Sequence, residues 1–248
     1  MQGMKIKCWG LLAALLMAGM SINIVFADEP TTNVKDPYEI FNRAMFHFND
    51  IFDRVVLKPA GTVYNAIIPK PLAKGFTNFF RNIDTIPTVA NDLLQLNFYQ
   101  ASNDAWRLGI NSTIGIGGIF DFAKDMGLQP NSEDLGLTFA RWGYENSNYL
   151  VFPFLGPSTV RDVVAWPINY YYLTIYPRIN PVRTRYILYS ASVVVWRADM
   201  LRHEEVFEQV SIDKYAFMRD AYMQRRHYLI ERNKKLLDPA LRNTVSPT

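Results

Sequence analysis

The apolar positions of this chain recur mostly at steps of three and four residues, which is the spacing of one face of an α-helix. The pattern is clearest at 36–59, where Asp36 is expected to cap a helix, Pro37 to occupy its first turn and Glu39 to complete a capping box. The apolar side is rich in aromatic rings and comprises Phe41, Ala44, Met45, Phe48, Phe52, Val55 and Val56. The polar side comprises Asn42, Arg43, Asn49, Asp53 and Arg54. Either other helices or lipid can cover such an apolar side.

The rest of the chain shows the same period in shorter pieces, separated by proline and glycine. Further helices are predicted at 72–82, 87–96 (starting at Pro87), 100–113 (starting at Gln100 or Ser102), 158–166 (capped by Ser158, stopped by Pro167), 181–196, 200–210 and from Ser211 onward. One face of 100–113 is expected to carry Ala101, Ala105, Leu108 and Ser112, and one side of the last helix Tyr215, Met218, Tyr222 and Leu229. The period weakens at 126–157, where a run such as 149–154 is expected to pair only locally. The predicted fold is an all-α single domain.

The first residues have the organisation of a signal peptide: Lys5 and Lys7, then an apolar run at 9–20, then small residues around Ala27. An uncleaved anchor is the alternative, although the run is short for a membrane span. The expected division is a cleaved signal peptide at 1–27, a helical domain at 28–236 and a disordered tail at 237–248. Cys8 is the single cysteine and would leave with the signal, so we expect no disulfide and no lipid-attachment cysteine.

Composition favours an interface over a purely internal core. Apolar residues make up 49% of the chain, and 16 Phe, 14 Tyr and 5 Trp are many for a small core that must satisfy every tyrosine hydroxyl. The formal charge of +3 is too small for an electrostatic binder of nucleic acid. No segment after the signal has the roughly 18 uninterrupted apolar residues of a spanning helix. Any helices that meet a bilayer would therefore lie in its interface.

Catalytic and metal-binding motifs are not found. His47, His203 and His227 lie on separate segments without a partner at a spacing of four, which argues against a metal site. No G-x-S-x-G motif suggests a hydrolase. The glycines at 115–118 lack the Lys-Ser/Thr ending of a phosphate loop, and the glycosylation match at 111–113 falls within a predicted helix. We therefore predict no enzyme, no metal and no cofactor.

Two groups of residues are functional candidates on pattern alone. Phe41, Met45, Phe48 and Phe52 are candidates to face lipid, although a stripe of this kind more often belongs to a core. The second group is Arg197, Ala198 and Asp199, a charged turn predicted between the apolar helices 181–196 and 200–210. That turn is interpreted either as an ordinary helix connection or as a mobile gate.

The order of motifs resembles the MlaA (VacJ) family of outer-membrane phospholipid transport proteins, over about 36–229. The resemblance rests on Asp36-Pro37 with Glu39, Phe41-Asn42-Arg43, Met45, Phe48-Asn49, Pro69-x-Pro71, Gly75, Asn78-Phe79, Asn82, Pro87, Asn91-Asp92, Asn111-Ser112-Thr113, Gly115-x-Gly117-Gly118, Phe120-Asp121, Glu133-Asp134-x-Gly136, Trp142-Gly143, Pro153-x-Leu155-Gly156-Pro157-Ser158-Thr159-x-Arg161-Asp162, Asp213-x-Tyr215 and Arg219-x-Ala221-Tyr222-x-Gln224-Arg225. The sequence departs from that family in one respect, because members are commonly lipoproteins and no suitably placed cysteine is present here.

The resemblance implies a ring-like arrangement of amphipathic helices lying in the periplasmic-side leaflet of the outer membrane. It further implies a central channel that takes mislocalised phospholipids from the outer leaflet and hands them to a soluble periplasmic carrier. The implied outer-membrane partner is a porin trimer, and the implied result is lipid asymmetry. Two other hypotheses remain at this point: a soluble periplasmic structural or interaction protein made of helices, and an exported lipid hydrolase.

Overall fold

The computed structural model describes residues 36–202 and 213–237, which all belong to one compact unit of the chain, 35–248. The helices are α1 Glu39–Phe52, α2 Lys58–Ile67, α3 Lys70–Leu94, α4 Phe98–Thr113, α5 Phe122–Asp125, α6 Leu135–Arg141, α7 Val160–Ile168, α8 Val182–Leu201 and α9 Lys214–Leu237. Two π-helical turns, Asp53–Leu57 and Asn169–Leu173, and a 3-10 turn, Tyr176–Arg178, extend them, and β1 Tyr149–Phe152 and β2 Gly156–Thr159 form a hairpin. The all-α prediction is confirmed. The expectations for 1–27, His203, 203–210, Ser211 and the tail fall outside the described residues.

Asp36 is not the cap residue of the first helix, because that helix begins later than predicted. α1 begins at Glu39 after Tyr38, which makes no side-chain cap. The Asp36 carboxylate accepts the backbone N–H of Tyr38 at 3.2 Å, the Asn42 amide at 2.9 Å and the hydroxyl of Tyr215 on α9. Glu39 pairs with Arg43 at 2.7 Å instead of closing a capping box. The helix also continues past the predicted end at 59, through the π-turn Asp53–Leu57 and into α2, where Pro59 lies in the first turn.

The two helices predicted at 72–82 and 87–96 are one helix, α3, with Pro87 buried inside it. Pro87 cannot donate to the carbonyl four residues earlier, which normally breaks a helix. Here the Thr85 hydroxyl donates to the Arg81 carbonyl at 3.0 Å, and the Thr88 hydroxyl donates to the Asp84 carbonyl at the same distance. These side-chain bonds supplement the backbone ladder on both sides of the interruption.

α4 begins earlier and buries a different face than predicted. Its cap is Asn97, whose side chain accepts the Gln100 N–H at 3.3 Å, instead of Gln100 or Ser102. The buried positions are Ala101, Asp104, Arg107 and Asn111. Ala105 and Ser112, which the apolar pattern placed on one face with Ala101, are exposed. The helix therefore turns mostly polar side chains inward.

The region 126–157 contains the predicted local pairing and one helix that the sequence did not indicate. β1 pairs with β2 antiparallel, with Tyr149 opposite Thr159 and Phe152 opposite Gly156. The unpredicted helix is α6, capped by Asp134 through the Leu137 N–H at 2.9 Å. α7 is capped by Thr159 and not by Ser158, and it passes through Pro167 to Ile168.

The predicted turn at Arg197, Ala198 and Asp199 is wrong, because all three residues lie inside the continuous helix α8. Arg197 binds both oxygens of Asp53 at 2.6 and 2.8 Å. Ala198 has no exposed surface and packs where Gly61 of α2 leaves room. These contacts fasten α8 to the end of α1 and to α2, so the charged residues are paired within the fold and do not form a surface turn.

Candidate functional site

The polarity of this protein is inverted relative to that of an ordinary globular domain. Among the described residues, 20 buried positions are polar or charged and 15 are hydrophobic, and six of those 15 are alanines. In the same described part of the chain, 39 large hydrophobic side chains are exposed. Single exposed apolar residues are normal, but such a number together with a polar interior makes the exposed apolar surface a candidate for contact with an apolar partner. This surface is the candidate functional site.

α1 shows the inversion most clearly. Phe41, Phe48 and Val55, spaced seven residues apart, form an apolar stripe with exposed fractions of 47%, 40% and 69%. The polar side holds the helix in place: Asn42 is completely buried, donates to the Tyr149 carbonyl at 3.2 Å and accepts the Val151 N–H at 2.8 Å. Asn49, two turns later, bonds the Phe152 carbonyl at 3.0 Å and the Phe154 N–H at 2.8 Å. The amides thus continue the hairpin along its free edge.

An arginine-centred network joins α9 to α6 and α7. Arg226 donates to both oxygens of Asp134, at 2.6 and 3.1 Å, and to Asp162 at 2.7 Å. The Tyr222 hydroxyl donates to the other oxygen of Asp162 at 2.9 Å, and Arg161 donates to Asp162 at 2.9 Å. Burial by itself would raise the pKa of Asp134, but the charge of Arg226 and its hydrogen bonds lower it. Two arginines and two aspartates therefore balance one another.

A second network ties the end of α9 to α3. Glu133 accepts Arg232 at 2.7 Å on one oxygen, and Gln95 at 2.9 Å and Asn233 at 2.8 Å on the other. Burial raises the pKa of Glu133, and these partners oppose the rise. Thr138 connects the cluster to α3 through Asn91 at 2.9 Å. Such bonds are directional, so they fix the position of the end of α9 relative to α3.

Beside this second network lie two buried carboxyls, Asp92 and Asp104, with which no basic residue in the described part of the chain forms an ion pair. Burial raises the pKa of Asp92, and the nearby charges of Glu133 and Asp104 raise it further. Burial likewise raises the pKa of Asp104, against hydrogen bonds from Gln100 and other neighbours. One Asp92 oxygen lacks a hydrogen-bond partner in the described part of the chain. Like charges at close range favour a proton held between the two side chains.

Two cavities open beside the first network. The larger measures about 460 Å³ and is lined by Tyr38, Tyr144, Asn148, Arg161, Arg226 and His227, among others. The smaller, about 220 Å³, lies across Gly136, Leu155, Asp162, Trp166 and Tyr222. In the part of the chain that the structure describes, no group of three His, Cys, Asp or Glu side chains is placed to hold a metal ion. Within 36–202 and 213–237, no helix combines the length and apolar character needed to cross a membrane.

The predicted candidates separate into two kinds. Phe41 and Phe48 are exposed, whereas Met45 and Phe52 are half-buried. Met45 packs against the small apolar cluster of Tyr149, Val151 and Tyr215, and Phe52 meets the ring of Phe154 edge-on at 5.1 Å. The buried polar networks were missed by the sequence reasoning. A signal existed in Asn42 and Asn49, two uncharged polar residues spaced seven residues apart on the polar side of α1.

Comparison with known proteins decides the family. The model of the MlaA lipoprotein family matches residues 34–229, most of the chain. The chain belongs to the MlaA family. An uncharacterised protein of Rickettsia prowazekii is 32% identical over 212 residues, 85% of this chain and 84% of its own length. The intermembrane phospholipid transport system lipoprotein MlaA of Haemophilus influenzae is 30% identical over 244 residues, 94% and 95% of the two chains.

A solved structure supports the same assignment at the level of the fold. It comes from work on the structural basis for maintenance of bacterial outer membrane lipid asymmetry, and it matches this MlaA-family chain with a TM-score of 0.67 at 25% identity. The match covers 79% of this chain and 99% of the other. The family resemblance drawn from the motifs is thereby confirmed.

Proposed function

We propose that this protein is an outer-membrane component of phospholipid transport, which removes mislocalised phospholipids from the outer leaflet and so maintains lipid asymmetry. The observation that carries the proposal is the inverted polarity: large apolar side chains point outward while arginines, carboxylates and amides fill the interior. The membership of the MlaA family and the names of its phospholipid-transport relatives support it. No covalent chemistry is required of such a protein.

The proposed placement is in the periplasmic-side leaflet, with helices lying in the interface and not crossing it. In that position the exposed apolar side chains contact acyl tails, and each methylene removed from water contributes about 0.8 kcal/mol. Phe41, Met45, Phe48 and Phe52 remain proposed lipid contacts, of which Phe41 and Phe48 are accessible without rearrangement. The same side chains would hold the protein at the membrane without a lipid-attachment cysteine.

The proposed path is an amphipathic channel, because a phospholipid needs a hydrated, polar surface for its head group beside an apolar surface for its tails. A soluble periplasmic carrier would receive the lipid, and a porin trimer is the proposed outer-membrane partner. The proposed gate residues act differently from a mobile turn. Since Arg197, Ala198 and Asp199 fasten α8 to neighbouring helices, we propose that they influence lipid passage by holding α8 in place.

The test at the level of the cell is deletion of the gene followed by measurement of phospholipid in the outer leaflet. Accumulation is expected, and unchanged surface phospholipid would contradict the proposal. Washed membranes distinguish the main alternative, a soluble periplasmic structural or interaction protein. Release by mild salt favours that alternative, whereas a need for detergent favours insertion.

A matched pair of variants tests the apolar stripe directly. Purified protein is floated with vesicles of phosphatidylethanolamine and phosphatidylglycerol. Replacing Phe41 and Phe48 together by Glu is expected to reduce the bound fraction several-fold, because charged side chains resist entry into hydrocarbon. His47→Glu, an exposed change on the same helix, is the control and is expected to leave flotation unchanged. Equal flotation of all three proteins would place the lipid contact elsewhere.

A further inference from the structure

The larger cavity, of about 460 Å³, has two buried arginines in its wall, Arg161 and Arg226. These residues are only 1% and 8% exposed. The carboxylates that balance them, Asp134 and Asp162, line the smaller cavity and not the larger one. The first network therefore places its positive groups at the larger cavity and its negative groups at the smaller. A volume of this size lies within the usual range of small-ligand sites, roughly 300–1,000 Å³.

Both arginines retain N–H groups that the protein does not use. Arg161 donates from Nε to Asp162 at 2.9 Å. Its Nη1 donates to the carbonyls of Tyr144 and Glu145 at 3.1 and 3.0 Å. The Nη2 of Arg161 makes no hydrogen bond to any residue that the structure describes, and the Nε of Arg226 is buried without a partner in the same part of the chain. Because a buried donor without an acceptor is costly, these groups favour a ligand with acceptor oxygens.

The charges around the larger cavity favour an anion. Of the described residues that line it, Glu145 is the single acid, and Lys234 binds its carboxylate at 2.8 Å. His227 is an exposed residue of the wall and carries a positive charge whenever it is protonated. An anion in the cavity would thus meet guanidinium groups and no unpaired carboxylate of those residues. Guanidinium is the side-chain group whose planar N–H geometry best matches phosphate oxygens.

Apolar side chains form another part of the same wall. α9 contributes Met223 and Ile230, which lie on one helix face with Arg226 and His227 at spacings of three and four residues. Val160, at the start of α7, adds a further apolar group. The wall therefore suits a ligand that carries carbon atoms beside an anionic group. That requirement favours a phosphate ester over inorganic phosphate.

We propose that the larger cavity binds the phosphate group of a phosphate ester, with Arg161 Nη2 donating to a phosphate oxygen and Arg226 adding positive charge. Met223, Ile230 and Val160 contact the carbon part of the ligand. Two sources supply this chemistry, a phospholipid and a soluble ester such as glycerol phosphate. Under the proposed function, on which this assignment rests, the phospholipid is the expected ligand.

Binding is measured by isothermal titration calorimetry with the purified protein in an uncharged detergent. The probes are dihexanoyl phosphatidic acid, dihexanoyl glycerol and glycerol 3-phosphate, of which the first two differ only by the phosphate. We expect phosphatidic acid to bind at least about tenfold more tightly than the diacylglycerol, because the diacylglycerol cannot accept the charge-assisted hydrogen bond of Arg161. Glycerol 3-phosphate is expected to compete with phosphatidic acid but to bind more weakly, since it lacks the tails. If it binds more tightly than phosphatidic acid, the phosphate site stands and a soluble ester is its ligand.

A matched pair of charge changes on α9 tests the position of the site. His227→Glu puts a carboxylate in the cavity wall and is expected to weaken phosphatidic acid binding about fivefold, with diacylglycerol binding unchanged. Arg225→Glu is the control, because this exposed residue is not among those that line the cavity, although its substitution changes the charge by more. At an ionic strength of about 0.15 M it is expected to leave both affinities unchanged, since exposed charges are screened beyond about 8 Å. Arg161→Lys, which keeps the charge but removes the unpaired Nη2, is expected to lose most of the preference for the phosphate.

The outcomes separate this site from the proposed function. Equal affinity of the wild type for phosphatidic acid and diacylglycerol overturns the phosphate site and leaves lipid transport standing. Absence of binding of either lipid by the wild type overturns both. Equal weakening by His227→Glu and Arg225→Glu, or weakening by neither, overturns the placement of the site in this cavity. If Arg161→Lys loses its helical circular dichroism, the pair His227→Glu and Arg225→Glu decides alone.

Discussion

The side chain of Asn42 occupies the place of a third strand beside Val151, accepting its N–H at 2.8 Å while donating to the Tyr149 carbonyl. Both atoms of the amide are used, and the residue is completely buried. A single asparagine therefore satisfies the free edge of the hairpin at the point where α1 crosses it. Hydrogen bonding of this kind adds to the apolar packing of Met45 against Tyr149 and Val151, so α1 is joined to the hairpin by both.

Asn42→Ala is expected to lower the free energy of unfolding by about 2–4 kcal/mol, because it leaves a backbone donor and a backbone acceptor buried without partners. Urea unfolding of the purified protein in detergent measures the change. Asn49→Ala, where the bonds are more exposed, is expected to cost about half as much. Equal effects of the two substitutions would refute the assigned importance of burial.

Arg226→Leu is expected to destabilise the protein by about 3–5 kcal/mol, because Asp134 and Asp162 would keep their charges without their shared partner. Arg226→Lys should recover only part of the loss, since one ammonium group cannot reproduce the fork of a guanidinium. Thermal unfolding followed by circular dichroism distinguishes the two. A lysine variant as stable as the wild type would show that charge alone is sufficient.

Gly136→Ala is expected to destabilise by at least about 1–3 kcal/mol. An added Cβ would overlap the Asp162 carboxylate and lie 2.8 Å from Arg226 Nη2, so the first network would have to move. Gly109→Ala on the open side of α4 is the matched control, because nothing lies within 4 Å of its added Cβ. There alanine should stabilise by up to about 1 kcal/mol through helix propensity. The same denaturant titration compares both, and a shared direction of change would contradict the prediction.

Asp92→Asn is expected to change how stability depends on pH. The folded state holds a proton at Asp92 more tightly than the unfolded state, so wild-type stability should fall as pH rises above about 4 toward the raised pKa. The asparagine variant lacks this titration and should be more stable than wild type by about 1–3 kcal/mol at pH 8, with no advantage at pH 4. Unfolding across this range gives the result. Asp125→Asn is the control and should show the same dependence of stability on pH as the wild type. The same dependence in Asp92→Asn would contradict the role assigned to Asp92.

The helical period predicted the class of the fold and most of the helices, because the apolar residues on one side of a helix have the same spacing whether that side contacts protein or lipid. The ends of helices were predicted poorly where a residue does not have the position that its type usually takes at a helix end. Asp36 lies before the first turn of α1 and bonds Asn42 and Tyr215 as well as the Tyr38 N–H. Pro87 and Pro167 lie within helices instead of ending them. Such outcomes depend on tertiary partners that local spacing does not contain.

The pattern did not predict which side of each helix faces the protein interior, because an apolar stripe can face either protein or lipid. Phe41 and Phe48 point outward, and Asp104 and Arg107 of α4 point inward. The family motifs contained many of the buried polar residues, including Asn42, Glu133 and Arg161, but their spacing alone did not pair them. Only the folded chain brings Arg226 to Asp134 and Asp162.

The binding of Arg226 to two carboxylates has a mechanical consequence. Apolar contact between two helices has no directional requirement, so small shifts of one helix along the other cost little. The guanidinium of Arg226, in contrast, bonds two carboxylates at once and can do so in one geometry only. Gradual creep between α9 and its neighbours is thereby suppressed. Any movement of α9 away from its neighbours therefore requires the bonds of Arg226 to both carboxylates to break together.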